Sequence, residues 1–96
     1  MDIKQAFALA LKKCRKAKGL TQEDFGIVSS RTYLSTLERG LKSPTLEKVD
    51  DIANHLGINP LTILALTYLD STDLNEIKKI QSEVMNEIEE IIKSSD

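Results

Sequence analysis

Apolar residues recur along this chain at intervals of three and four, the spacing that places them on one face of an α-helix. The first such stretch covers residues 2–18, and most of its Lys and Arg residues fall on the other faces. Its apolar face carries Ile3, Phe7, Ala10, Leu11 and Cys14. The pattern predicts an amphipathic helix, and Gly19 is placed to end it in the left-handed conformation that glycine adopts cheaply.

Four further short helices are predicted before residue 70. The hydroxyl of Thr21 is a candidate cap for a second helix over roughly 22–27, with Asp24 three residues further on. Ser29 or Ser30 then caps a third helix that runs to about Arg39. This third helix places Leu34 and Leu37 on its buried side.

The fourth and fifth helices each have a proline near the start. Ser43-Pro44 opens the fourth and Asn59-Pro60 the fifth, because proline is tolerated in a first turn, where its missing N–H costs little. The fourth ends at Gly57 and the fifth continues to about Leu69. Five short helices joined by short loops make a compact all-α bundle, and we assign residues 1–69 to it.

The remaining residues, 70–96, predict one long helix of about six turns, from Ser71 or Thr72 to about Lys93. Its apolar stripe carries Leu74, Ile77, Ile80, Val84, Ile88 and Ile91. A lone helix with such an exposed face invites association. We expect the stripe to fold back onto the bundle or to pair with a second copy as a dimerisation element, either as an antiparallel pair or exchanged between subunits.

Charge is divided unevenly between the two halves of the chain. Residues 1–48 hold ten Lys or Arg and five Asp or Glu, whereas residues 49–96 hold three and ten. The halves therefore carry about +5 and −7, which the overall charge of −2 conceals. The basic half suits a polyanion such as DNA, and the acidic half suits solvent, a second chain or a basic protein.

Three segments in order carry a family resemblance: LKKCRKAKGLTQEDF, SSRTYLSTLERG and SPTLEKVDDIANHLGINPLTIL. With these motifs, residues 9–66 resemble the XRE-like helix-turn-helix family of the lambda-repressor/Cro type. The resemblance implies a five-helix DNA-binding bundle and a transcriptional regulator. Its recognition helix corresponds to residues 30–39, and the long C-terminal helix lies outside the match.

The resemblance also implies roles for single residues. Those placed to contact bases in the major groove are Arg31, Thr32, Ser35 and Thr36. Those placed to contact phosphate are Gln22, Tyr33, Lys42, Ser43 and Lys18. A structural salt bridge between Arg15 and Glu38 would tie the first helix to the end of the recognition helix. Simpler roles remain open: a phosphate contact for Arg31, packing for the Tyr33 ring, and solvent exposure for Gln22.

The chain departs from the family pattern in the turn before the recognition helix. Nine steps separate Gln22 from Arg31, where the family has about eleven and a glycine in the turn. The turn here is Ile27-Val28-Ser29, and Gly26 stands where alanine is usual. We therefore expect the second helix to end early and the recognition helix to approach DNA at an altered angle.

Enzymatic chemistry is not indicated. His55 is the only histidine, and near a helix end it is interpreted as a capping or surface residue. Cys14 lies on an apolar stripe and is interpreted as buried filler, and no pattern suggests a metal, a cofactor or a phosphate-binding loop. With no membrane-spanning run or signal peptide apparent, we expect a cytoplasmic protein.

The main hypothesis is a sequence-specific regulator that binds double-stranded DNA as a homodimer on an inverted repeat, and a dimer of dimers is compatible with so long a stripe. An antitoxin is the alternative: it would repress its own operon and bind a toxin through the acidic C-terminal helix. A protein-interaction adaptor that keeps the fold without using DNA is a third hypothesis.

Overall fold

The computed structural model describes residues 2–25, 31–69 and 73–95, and all regular elements in these ranges are helical. The elements in chain order are α1 (Ile3–Ala17), a 3-10 helix (Gln22–Phe25), α2 (Arg31–Glu38), α3 (Leu46–Leu56), α4 (Pro60–Tyr68) and α5 (Leu74–Ser94). The predicted all-α fold is confirmed. The predicted second helix proves to be a single turn of 3-10 helix in the described residues.

Side-chain caps fix where four of the helices begin. Asp73 caps α5 by accepting the N–H of Asn75 at 2.9 Å, so that helix begins at Leu74, after the predicted Ser71 or Thr72. Asp2 caps α1 by accepting the N–H of Gln5 at 2.9 Å, and Asn59 caps α4 with Pro60 at the first helical position, as predicted. The predicted start of the fourth helix at Ser43-Pro44 is wrong. Thr45 is the cap of α3, because its hydroxyl accepts the N–H of Lys48 at 3.1 Å, and the proline precedes the cap.

The segment before the 3-10 helix is held by a short polar cluster. The Asp24 carboxylate accepts the backbone N–H of Thr21 at 2.7 Å and the hydroxyl of the same residue at 3.1 Å. The hydroxyl of Thr21 therefore donates to Asp24 instead of accepting a backbone N–H. These two hydrogen bonds, the backbone one first, lower the pKa of Asp24. The cap predicted at Ser29 or Ser30 lies outside the described residues.

Gly40 lets α2 end directly against α1. Its φ is 72°. The backbone N–H of Gly40 donates to the carbonyl of Leu37 at 3.1 Å, and that of Leu41 donates to the carbonyl of Thr36 at 3.2 Å, so the chain turns back on the last turn of the helix. A Cβ at this position would lie 3.1 Å from Cγ of Gln5 in α1. Glycine is thus favoured by the backbone conformation, and a larger residue would also require Gln5 to move by a few tenths of an ångström.

The core lies where α1 packs against α2 and α4 and where α3 packs against α4. The largest fully buried side chains are Leu11, Phe25, Leu34, Leu37, Ile52 and Ile63. Cys14 is buried at the edge of this cluster, as predicted, and burial raises the pKa of its thiol. The core therefore holds α2 from one side and leaves its opposite side accessible.

Helix α5 buries none of its residues. Ile77 and Ile80 are half-buried, while the exposed fraction is 46% at Val84, 43% at Ile88 and 64% at Ile91. The apolar stripe predicted from the sequence is present as one continuous helix. It is largely open to solvent in the single chain.

Candidate nucleic-acid interface

Helix α2 has one buried side and one accessible side. Leu34, Leu37 and Glu38 are buried against the bundle. At about 100° per residue, Thr32 and Thr36 lie on the opposite side, where the first is exposed and the second half-buried. Two of the four predicted base-contacting residues, Thr32 and Thr36, therefore share the accessible side of α2, and a third, the half-buried Ser35, lies at its edge. The side chain of the fourth, Arg31, lies outside the described part of the chain.

Thr36 has a defined hydrogen-bonding state on that side. Its hydroxyl donates to the backbone carbonyl of Thr32, one turn earlier, at 2.8 Å. The hydroxyl oxygen then offers acceptor capacity and the methyl group an apolar contact. Such a side chain suits an amino group of adenine or cytosine, or the methyl group of thymine, in a major groove.

A bidentate ion pair anchors the C-terminal end of α2. Nε of Arg15 donates to Oε2 of Glu38 at 2.6 Å, and Nη2 donates to Oε1 at 2.9 Å. The same guanidinium donates from Nη1 to the carbonyl of Leu20 at 2.8 Å. Arg15 thus joins α1, the segment that leads into the 3-10 helix, and the end of α2 through three hydrogen bonds.

Gln22 extends this network to the 3-10 helix. Its Nε2 donates to Oε1 of Glu38 at 3.1 Å, so that one carboxylate oxygen accepts from both Gln22 and Arg15. The family resemblance implies a phosphate contact for Gln22, and no local spacing indicates the bond to Glu38. Because the amide carries two N–H groups, one can hold Glu38 while the other binds a phosphate.

The network keeps the Glu38 carboxylate ionised. Burial by itself would raise the pKa of Glu38, but the hydrogen bonds from Arg15 and Gln22 and the positive charge of Arg15 outweigh it, so the pKa is lowered. The hydrogen bond to Glu38 raises the pKa of Arg15 further above its ordinary value. Both groups therefore remain charged at neutral pH.

The predicted phosphate-contacting residues lie in several elements. Lys42 and Ser43 are exposed in the loop between α2 and α3, and Lys18 is exposed at the C-terminal end of α1. Tyr33 is half-buried against the core, and its ring lies 5.8 Å from the ammonium group of Lys48. The ring therefore packs against the core, and a phosphate contact by the Tyr33 hydroxyl stays a prediction.

Arg39 is a further candidate residue of this interface. It is exposed, and its N–H bonds to the carbonyl of Ser35 at 3.0 Å, so the backbone continues the turn of α2. By this helical continuation Arg39 falls on the same side as Thr32, Ser35 and Thr36. In the sequence, Arg39 lies four positions after Ser35 and three positions after Thr36. That helical spacing is the signal that indicates it.

Outside this interface the described residues offer little competing chemistry. His55 lies in the last turn of α3, where it is half-buried and its ring lies 4.8 Å from the ring of Phe25. Among the described residues, no group of three or more His, Cys, Asp or Glu side chains is arranged to hold a metal ion. Within the same ranges, the helices are all too short or too polar to cross a membrane.

Comparison with known proteins gives matches over the same region. A family model described as helix-turn-helix matches residues 11–63. An uncharacterized HTH-type transcriptional regulator, y4dJ, from Sinorhizobium fredii is 35% identical over 69 residues, which cover 70% of this chain and 90% of that protein. The control protein C.MunI from Mycoplasma sp. is 43% identical over 60 residues, which cover 59% of this chain and 81% of that protein.

Proposed function

Because the chain belongs to the XRE-type helix-turn-helix family of DNA-binding transcriptional regulators, we propose that it is a sequence-specific regulator that acts as a homodimer on an inverted-repeat operator. One observation carries the proposal. The buried side of α2 is held against the bundle by Leu34, Leu37 and the Arg15–Glu38 ion pair. Thr32 and its neighbours occupy the accessible side. A helix held in this way can enter a major groove without rearranging the bundle.

Sequence reading is assigned to α2. Arg31, at its first position, would bind guanine O6 and N7, and Thr32, Ser35 and Thr36 would contact neighbouring base edges. Arg39 would contact DNA on the same side. These side chains lie on a rigid helix, so their spacing selects a short run of base pairs.

We assign the phosphate contacts that orient the protein on the DNA duplex to residues around α2. Lys42 and Ser43 after the helix, Gln22 and Tyr33 beside it, and Lys18 at the end of α1 would bind phosphates on both sides of the groove. The net positive charge of residues 1–48 supports this assignment, because phosphate contacts supply affinity that is independent of sequence.

Dimerisation is assigned to the C-terminal unit, residues 70–96. One recognition helix reads only a few base pairs, whereas two related by symmetry read half-sites about one helical turn apart. The exposed apolar stripe of α5 is suited to hold the two copies together, and its residues are Leu74, Ile77, Ile80, Val84, Ile88 and Ile91. Such a regulator works in the cytoplasm and needs neither a cofactor nor a catalytic group.

The decisive experiment is a titration of the purified protein against the DNA upstream of its own gene and against a scrambled duplex, followed by fluorescence anisotropy at two salt concentrations. We expect tighter binding to the native sequence and an affinity that falls as salt rises. Equal, weak binding to both duplexes would contradict operator reading at that site. It would favour instead a partner-binding role for the acidic α5, as in an antitoxin.

A further inference from the structure

Five of the six stripe residues of α5, all but Leu74, have a spacing that is the same in both chain directions. Ile77, Ile80, Val84, Ile88 and Ile91 follow one another at intervals of three, four, four and three residues. All five lie within about 40° of a line along the helix that passes through Val84. A stripe of this kind is self-complementary when a second copy runs in the opposite direction.

We propose that α5 pairs with α5 of a second copy in antiparallel orientation, with Val84 of both copies at the two-fold axis. This inference rests on the proposed homodimer and specifies its geometry. Ile77 of one copy then faces Ile91 of the other, and Ile80 faces Ile88. Each contact occurs twice, as a two-fold symmetric interface requires.

The residues beside the stripe favour the antiparallel orientation over the parallel one. Leu74, Met85 and Ile92 flank these five residues on one edge, where they are 70%, 54% and 62% exposed, and the exposed Gln81 is a polar residue on the same edge. The other edge carries Glu76, Glu83, Glu87 and Glu90, all exposed. The two edges of α5 therefore differ sharply in chemistry.

In an antiparallel pair, like edges of the two copies come together. Leu74 of one copy lies near Ile92 of the other, and the glutamates are collected on the opposite side, in contact with water. In a parallel pair, each apolar edge would meet the glutamate edge of its partner, so that Met85 would lie against Glu83 and Glu87. The antiparallel arrangement covers more apolar surface and leaves the carboxylates solvated.

The arrangement has an electrostatic consequence. Glu83 and Glu87 of the two copies converge near the two-fold axis, and their mutual repulsion is screened by salt. We expect the dimer to become tighter as salt is raised. DNA binding by a basic surface changes in the opposite direction with salt, so the two effects can be separated.

Disulfide cross-linking of the full-length chain tests the orientation. Val84→Cys should form a covalent dimer under mild oxidation, because the two cysteines meet at the axis. Ile77→Cys should not link to itself, because its two copies would be about 21 Å apart along the helix, far beyond disulfide reach. Ile77→Cys mixed with Ile91→Cys before oxidation should give a covalent heterodimer.

Two controls accompany these variants. Ser82→Cys lies on the exposed side of α5 opposite the stripe and should remain uncross-linked. The wild-type chain gives the baseline for the native Cys14, which is buried. Circular dichroism of each variant checks that helical content is kept.

The outcomes separate this inference from the proposed function. Self-linking of Ile77→Cys, or no linking of Val84→Cys in a folded protein, would overturn the antiparallel pairing. The same proteins are titrated with operator and scrambled DNA under reducing conditions. Cross-links in the expected pattern together with equal binding to both duplexes would support the pairing and overturn operator reading alone.

Discussion

The guanidinium of Arg15 and the carboxylate of Glu38 form a bidentate ion pair, with N–O distances of 2.6 and 2.9 Å, across 23 positions of sequence. The Glu38 side chain is 2% exposed and that of Arg15 is 12% exposed. Two fixed donors and two fixed acceptors define the position of the end of α2 relative to α1. The orientation of the proposed recognition helix is therefore set by one pair of side chains together with the leucines beneath it.

Removing the cation of this pair should destabilise the bundle. We expect Arg15→Ala to lower the free energy of unfolding by about 3 kcal/mol, because it leaves the Glu38 carboxylate buried without its partner. Urea denaturation measures the loss. Lys16→Ala, at the next and exposed position, is the matched control and should change stability by less than about 0.5 kcal/mol. Similar losses in the two variants would show that the ion pair does not hold α2.

The same pair makes stability depend on pH in the acid range. The pKa of Glu38 is lower in the folded chain than the value of about 4.3 for an unfolded glutamate. The stabilisation is therefore complete above that value and is lost as pH falls through the lower, folded pKa. We expect the stability difference between the wild type and Glu38→Gln to be constant near pH 7 and to shrink below about pH 4. A difference that stays unchanged down to pH 2 would contradict this assignment.

Local signals predicted some features of this chain better than others. The start of α4 at Asn59-Pro60 was predicted because the cap and the proline act on neighbouring backbone groups. Ser43-Pro44 offered the same pattern, yet Thr45 is the cap of α3. Serine and threonine are both good caps, and a proline is compatible with either register, so the local sequence did not distinguish them.

Contacts between distant segments were harder to predict. The bond from Gln22 to Glu38 joins the 3-10 helix to α2 and depends on how the two pack, which no spacing in the sequence reports. Arg39 lies just beyond α2. Its place beside the candidate contacts depends on the backbone, which continues the turn of the helix at this residue. The type and order of the helices followed from periodicity, whereas these side-chain roles followed from tertiary packing.

Gly40 should be more sensitive to substitution than Gly57, although both have φ above 70°. A Cβ at Gly57 would meet nothing within 4 Å, so Gly57→Ala should cost only the strain of a left-handed alanine, about 1 kcal/mol. Gly40→Ala adds a tight contact, 3.1 Å to Cγ and 3.4 Å to Cα of Gln5, and should cost about 1 kcal/mol more. Thermal unfolding compares the two, and Gln5→Ala combined with Gly40→Ala should recover part of the difference. Equal losses at the two glycines would remove the packing argument.

Base reading and phosphate contact should be separable in DNA titrations. We expect Arg31→Ala to weaken operator binding by about 1–3 kcal/mol with little change on scrambled DNA, because a bidentate contact to guanine is lost. Lys42→Ala should weaken both complexes alike and reduce the dependence of affinity on salt. If Arg31→Ala weakens both duplexes equally, Arg31 contacts phosphate and the base reading lies with the threonines and Arg39.

A charge placed in the stripe of α5 should separate dimerisation from DNA contact. Val84→Asp places a carboxylate at the centre of any pairing that uses the stripe, and the two copies would bring like charges together. We therefore expect the variant to be a monomer at micromolar concentration, as measured by light scattering. Ser82→Asp adds the same charge on the opposite, exposed side of the helix and should remain dimeric. Because a monomer reads only one half-site, Val84→Asp should also lose most of its preference for an inverted repeat over a single half-site. A dimeric Val84→Asp protein would place the subunit contact elsewhere, for which the exposed Leu61 and Tyr68 of α4 are the next surface to test.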